Sequence, residues 1–173
     1  MMQTVMEQFE RLKRIVTELP LEAYMAQRVA VEHELNGALL DTAVFEQPGH
    51  GADEQRDALV RIRSHVTQLR EKLAVLQTAV AEQYRNQLGA GKEAFEQVDA
   101  DVQAVRDPAA LATRRLFHAL EQAREVCSLL AGRLLDIDAA LERAARPVPA
   151  GAAATAGEAH SYDHDPAPSP VSP

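Results

Sequence analysis

The sequence predicts an all-α protein: an elongated antiparallel helical bundle or coiled coil of three long helical segments, the first kinked or broken at Pro20, followed by a disordered Pro-rich C-terminal tail. Three observations lead there. Large apolar residues at Leu59, Ile62, Val66, Leu69, Leu73, Leu76 and Val80 step by three and four in strict alternation, which draws one narrow stripe down a helix. Aromatic residues make up only 4% of the chain and Trp is absent. Ala, Leu, Val, Glu, Gln and Arg dominate instead, a composition suited to helices joined by thin seams and leaving no segment for a sheet. Six of the nine prolines fall beyond Arg146, among Ala, Gly, Ser and Asp, where too little apolar surface is available to offset the entropy of ordering. The expected organisation is therefore a bundle over residues 1–146, with helical segments at about 2–46, 53–106 and 108–145, and a tail over 147–173.

The first segment opens with Met2, Val5, Phe9, Leu12, Val16 and Leu19 in the same rhythm, widened by Met6 and Ile15. Pro20 lacks an amide hydrogen and disfavours helical geometry in the residue before it, so a kink or short break belongs there, with a new helix after it. From Leu21 to Phe45 the pattern is looser: Leu21, Met25, Val29, Leu35 and Leu39 form one stripe, and Ala23, Ala26, Ala30 and Gly37 a smooth side that allows close approach. Gln47 to Ala52, with Pro48 and two glycines around His50, is the clearest turn, and Asp53 stands where it can cap the second segment.

The central stripe follows, with Gln77 at its flank. Beyond Val80 the spacing loosens through Tyr84 and Leu88, then resumes at Phe95, Val98, Val102 and Val105. Gly89 and Gly91 interrupt it, at a cost of about 1 kcal/mol each in a helix interior, and mark the weakest point of the segment. Asp107-Pro108 pairs a favoured N-cap with a favoured first helical residue and opens the third segment. Its stripe is Leu120, Ala123, Cys127, Leu130, Leu134, Ile137, Leu141 and Ala144. Residues 53–106 as one helix would span ~80 Å, against a radius of gyration of ~15 Å for a compact globule of this size, so the bundle is elongated.

Function classes narrow by exclusion. A net charge of −8 argues against a phosphate-tracking surface, so no direct nucleic-acid partner is expected. Charges interrupt the apolar positions of the N-terminal segment, and no run approaches the ~18 apolar residues of a membrane span, which suggests an intracellular, cytoplasmic protein. Cys127 is the one cysteine, on a seam position, and reads as a small buried hydrophobe. His33-Glu34 lacks the second histidine of a zinc helix, because Gly37 stands there, and His33 reads as a solvated polar residue. The residues three before His33, His65 and His118 are not Glu, which disfavours a di-iron site. His160, Asp163, His164 and Asp165 lie in the tail and read as incidental composition, and Gly89-Ala90-Gly91-Lys92 lacks the spacing of a phosphate loop. No catalytic, cofactor or metal residues are expected. Ser169-Pro170 and Ser172-Pro173 resemble proline-directed phosphorylation sites, a pattern that arises readily in such a tail.

What remains is a partner-binding surface. Arg63, Arg70 and Lys72 flank the central stripe at positions that choose partners in coiled coils, either as a solvated face or selecting an acidic flank in the first segment or on another protein. Val60, Val75, Leu129 and Leu135 lie off their stripes, where an intramolecular neighbour need not cover them. These seven residues are the candidate interface. The expected function is a non-enzymatic structural or adaptor subunit that contributes helices to a larger coiled-coil assembly, homo- or hetero-oligomeric. The alternative is a small acidic helical chaperone that shields an amphipathic helix of a client, and an enzyme ranks behind both. A chain truncated after Arg146 is expected to melt with the full-length protein in a circular-dichroism scan; a loss of several degrees would show that the tail docks on the bundle.

Overall fold

The computed structural model describes residues 2–87 and 108–147. Four helices account for nearly all of them: α1 (Met2–Glu18), α2 (Met25–Glu46), α3 (Ala52–Gln87) and α4 (Pro108–Ala145), with a single 3₁₀ turn at Glu22–Tyr24. No strand occurs among the described residues. Two expectations lie outside those residues: the continuation of the second segment through Gly89 and Gly91 to 106, and the disordered tail from 148 onward.

Pro20 breaks the first segment rather than kinking it. The Leu21 N–H donates to the Leu19 carbonyl at 2.9 Å, closing a three-residue turn around the proline, and the Tyr24 N–H then donates to the Leu21 carbonyl. α1 and α2 pack against each other. The six residues between them reach only about 20 Å, too short to bring a parallel helix alongside, so the chain doubles back and one long segment becomes two antiparallel helices. Leu21 is fully buried in the bend.

At the next turn Gly49 has a φ of +106°, a conformation that favours glycine. α3 begins one residue earlier than expected, and Asp53 does not cap it. Gly51 precedes the first helical residue, its carbonyl accepts from the Gln55 N–H, and its own N–H donates back to Glu54 Oε2 at 3.3 Å. That is the reach-back half of a capping box. Hydrogen bonds from His50 and from the Gly51 N–H hold the Glu54 carboxyl below the usual glutamate range.

α3 packs on α2 and on α4, and α1 closes the ring by packing on α2 and α4. Pairs Asp41–Arg61, Glu34–Lys72 and Tyr24–Gln83 show α2 and α3 antiparallel; Arg63–Asp138 and Gln77–Arg124 show the same for α3 and α4. One apolar core runs through the ring. All seven residues of the central stripe are at most 2% exposed. Met2, Val5, Phe9, Leu12 and Val16 of α1 and Leu120 to Ile137 of the α4 stripe are buried as expected; Leu141 is half-buried and Ala144 exposed where α4 ends.

Two expectations are overturned. In α2, Met25 and Val29 are exposed, and the buried face is Val31, Leu35, Ala38 and Thr42, with Glu34. Met25, Val29 and Leu40 lie on the side of α2 opposite that face, so the helix is apolar on two sides and a single stripe drawn through it merges them. Gln77, expected at a wet flank, is only 7% exposed and accepts a hydrogen bond from Arg124 Nη1 at 2.6 Å. Leu73→Asp is therefore expected to cost about 3–5 kcal/mol, since it removes a leucine and buries an unpaired carboxylate. Gln77→Asp places its carboxylate beside Arg124 and is expected to be tolerated. Circular-dichroism melts of both variants check this, and equal melting temperatures would show that the stripe is not the core.

Candidate partner interface

The seven-residue repeat of α3 sorts its flanks between two neighbours. With Leu59 as a and Ile62 as d, the e positions Arg63, Arg70 and Gln77 turn toward α4, and the g positions His65 and Lys72 turn toward α2. On the α4 side, Arg63 Nη1 donates to Asp138 Oδ2 at 2.9 Å, and Arg124 meets Gln77. Asp138 and Arg124 are the e positions of α4's own repeat, and in an antiparallel pair like flanks meet.

The α2 side holds a linked set of charges. Lys72 Nζ donates to Glu34 Oε1, His65 Nδ1 lies 2.7 Å from Glu34 Oε2, His65 Nε2 lies 3.3 Å from Asp41 Oδ2, and Arg61 Nε donates to Asp41 Oδ1 at 2.8 Å. Burial alone would raise the pKa of Glu34, but the hydrogen bonds and charges of Lys72 and His65 outweigh it and hold the carboxyl below its ordinary value. The imidazole fits because position 37 has no side chain: a Cβ on Gly37 would sit 2.5 Å from His65 Cε1.

Val60, Val75, Leu129 and Leu135 are all between 53% and 64% exposed. They do not form one strip. Leu135 joins Arg63, Arg70, Thr67 and Ala131 around a groove of about 120 Å³ on the outer edge of the α3/α4 pair. Val60, seven residues before Thr67, continues the same edge of α3. Farther along that edge a second groove, of about 500 Å³, is lined by Ala74, Gln77, Thr78, Ala81, Arg85, Phe117 and Arg124. Lys72 and Val75 belong instead to a groove of about 430 Å³ between α2 and α3, with Ala26 and Ala30 on its other wall. Leu129 and Leu135, six residues apart, point about 120° away from each other round α4.

The structure thus brings Arg63, Arg70 and Leu135 together, leaves Val60 two turns beyond Thr67 on the same edge of α3, and separates Lys72, Val75 and Leu129 from them. Sequence reading missed Ala74, Ala81 and Arg124, although the seven-residue spacing of Val60, Thr67, Ala74 and Ala81 was there to be read. His33 is exposed. Cys127 is fully buried, and desolvation pushes its thiol up to about 12 despite the nearby Arg70 and Arg124, so it carries no thiolate at neutral pH. No group of three or more His, Cys, Asp or Glu side chains among the described residues is arranged to hold a metal ion, and none of their helices is long and apolar enough to cross a membrane.

Comparison with protein families, with curated proteins and with solved structures returned no match.

The depressed Glu34 carboxyl makes a signed prediction. Its contribution to stability is complete above the unfolded value near 4.5 and is lost as pH falls through the lower folded value. The wild type is expected to lose melting temperature on acidification below about pH 5 more steeply than Glu34→Gln, which is less stable at neutral pH and flatter in acid. Parallel slopes for the two proteins would show that Glu34 does not carry the linkage.

Proposed function

We propose that the protein is a non-enzymatic adaptor subunit that holds helices of partner proteins against the outside of its own bundle. The reading is supported above all by one observation: α3 and α4 bury their seams within the chain, yet two open grooves with arginines in their walls, one of them bordered by exposed Leu135, lie along their outer edge. Scattered surface hydrophobes are ordinary on any protein, whereas apolar side chains bordering a groove are where helices dock. Exposed Met25, Val29 and Leu40 on the outer side of α2 give the bundle a second apolar face.

A second reading, a small acidic chaperone that shields a client's amphipathic helix, draws support from the smooth-walled groove at Ala26, Ala30 and Val75. The lifetime of the complex separates the two. An adaptor stays in a stoichiometric particle through gel filtration, and a chaperone releases its client once that client folds or assembles.

A photo-crosslinking residue at position 135 or 75, introduced in the source cell, is expected to give a discrete adduct of fixed stoichiometry. In the chain without the crosslinking residue, the double substitution Leu129→Ser with Leu135→Ser is expected to lose the partner in a pull-down while keeping helicity. Both side chains are exposed, so the melting temperature should move by no more than about 2–4 °C. Wild-type protein that stays monomeric and forms no adduct from either position would overturn the proposal.

A further inference from the structure

The groove on the outer edge of α3 and α4 carries a charge that the rest of the chain does not. Its two reaches are walled by Arg63 and Arg70, then by Arg85 and Arg124, and none of the described residues lining either reach is acidic. The whole chain has a net charge of −8. Asp138 engages Arg63, whereas Arg124 donates to the neutral amide of Gln77, and Arg70 is exposed and makes no ion pair among the described residues. On α3 the floor between these guanidinium groups is small, with Thr67, Ala74 and Ala81 following one another at seven-residue intervals; from α4, Ala131 borders the first reach and Phe117 the second. The two grooves lie end to end along this edge, and Arg63 and Arg85 at their far ends are about 33 Å apart along α3, the length of a helix of about 22 residues.

We propose that this groove binds an acidic amphipathic helix of another protein chain, with its apolar ridge laid on Thr67, Ala74 and Ala131 and its carboxylates meeting Arg70 and Arg124. Small residues repeated every two turns let a second helix approach closely along the whole floor. Planar guanidinium groups at the rim match carboxylates in a two-point geometry. A polynucleotide fits less well, because a chain of net charge −8 repels so dense a run of phosphates and, among the described lining residues, Phe117 alone offers a ring to stack on. The proposal rests on the adaptor reading and adds the chemistry of the partner.

The test uses the full chain and fluorescent synthetic peptides of about 21 residues, one a helix with Leu and Ala on one face and Glu at its flanks, the other with Lys replacing Glu. In anisotropy titrations the Glu helix is expected to bind about tenfold or more tighter than the Lys helix, and to weaken as salt rises from about 0.05 to 0.3 M. Arg70→Glu, on an exposed side chain, should lower that affinity about tenfold. Ala74→Tyr should block the floor, and Val75→Ser, outside this groove, should change nothing. Equal affinity for the two peptides, indifference to Arg70→Glu, or tighter binding of a single-stranded oligonucleotide than of the Glu helix would each overturn the proposal. A chain that crosslinks to a cellular partner through position 75 but ignores the Glu helix keeps the adaptor reading and loses this one.

Discussion

Burial of the Leu59 to Val80 stripe is the constraint on which the rest depends. α3 offers one narrow apolar line, and that line is dry only because α2 and α4 both lie along it. Each leucine or valine taken out of water there contributes about 2 kcal/mol, so the stripe as a whole fixes which helices must be neighbours before any polar contact is considered. α1 serves the same core from the far side, bridging α2 and α4.

Polar contacts then decide which neighbour goes where. A helix with a single apolar line could receive α2 and α4 on either flank. Lys72 and His65 on one flank meet Glu34 and Asp41 of α2, and Arg63 on the other meets Asp138 of α4. Exchanging the two helices would break the pairs of Glu34 with Lys72 and His65 and of Asp138 with Arg63, and the loss is greatest at Glu34, the most buried of these groups. The charges that flank the central stripe therefore act first inside the chain, and Arg70 is the one of the three that remains for something outside it.

Much of this was legible before the structure, and the failures have physical causes. The stripes of α1, α3 and α4 were readable because each has one apolar side, so periodicity and burial coincide. α2 was not: Met25, Val29 and Leu40 face outward while Val31, Leu35 and Ala38 face inward, and a period cannot tell one apolar side from the other. Pro20 marked a break, but a proline says only that the helix stops, and the reversal comes from packing of α1 on α2. The exposure of Val60, Val75, Leu129 and Leu135 followed from their off-stripe positions. Their grouping did not, because the side of α3 on which α4 lies is settled by tertiary contacts such as Arg63–Asp138. Gln77 looked like a surface residue and is buried because Arg124 crosses over to it.

The close fit of Gly37 beneath the His65 ring ties two distant positions into a single unit of variation. A Cβ at position 37 would sit 2.5 Å from His65 Cε1, so any side chain there requires the imidazole to move. Alanine at 37 therefore requires the His65 ring to shift or be replaced, and either change would disturb the contacts by which it joins Glu34 and Asp41. Change at this helix crossing therefore involves both positions, while Met25, Val29 and Leu40 on the exposed face of α2 can change one residue at a time.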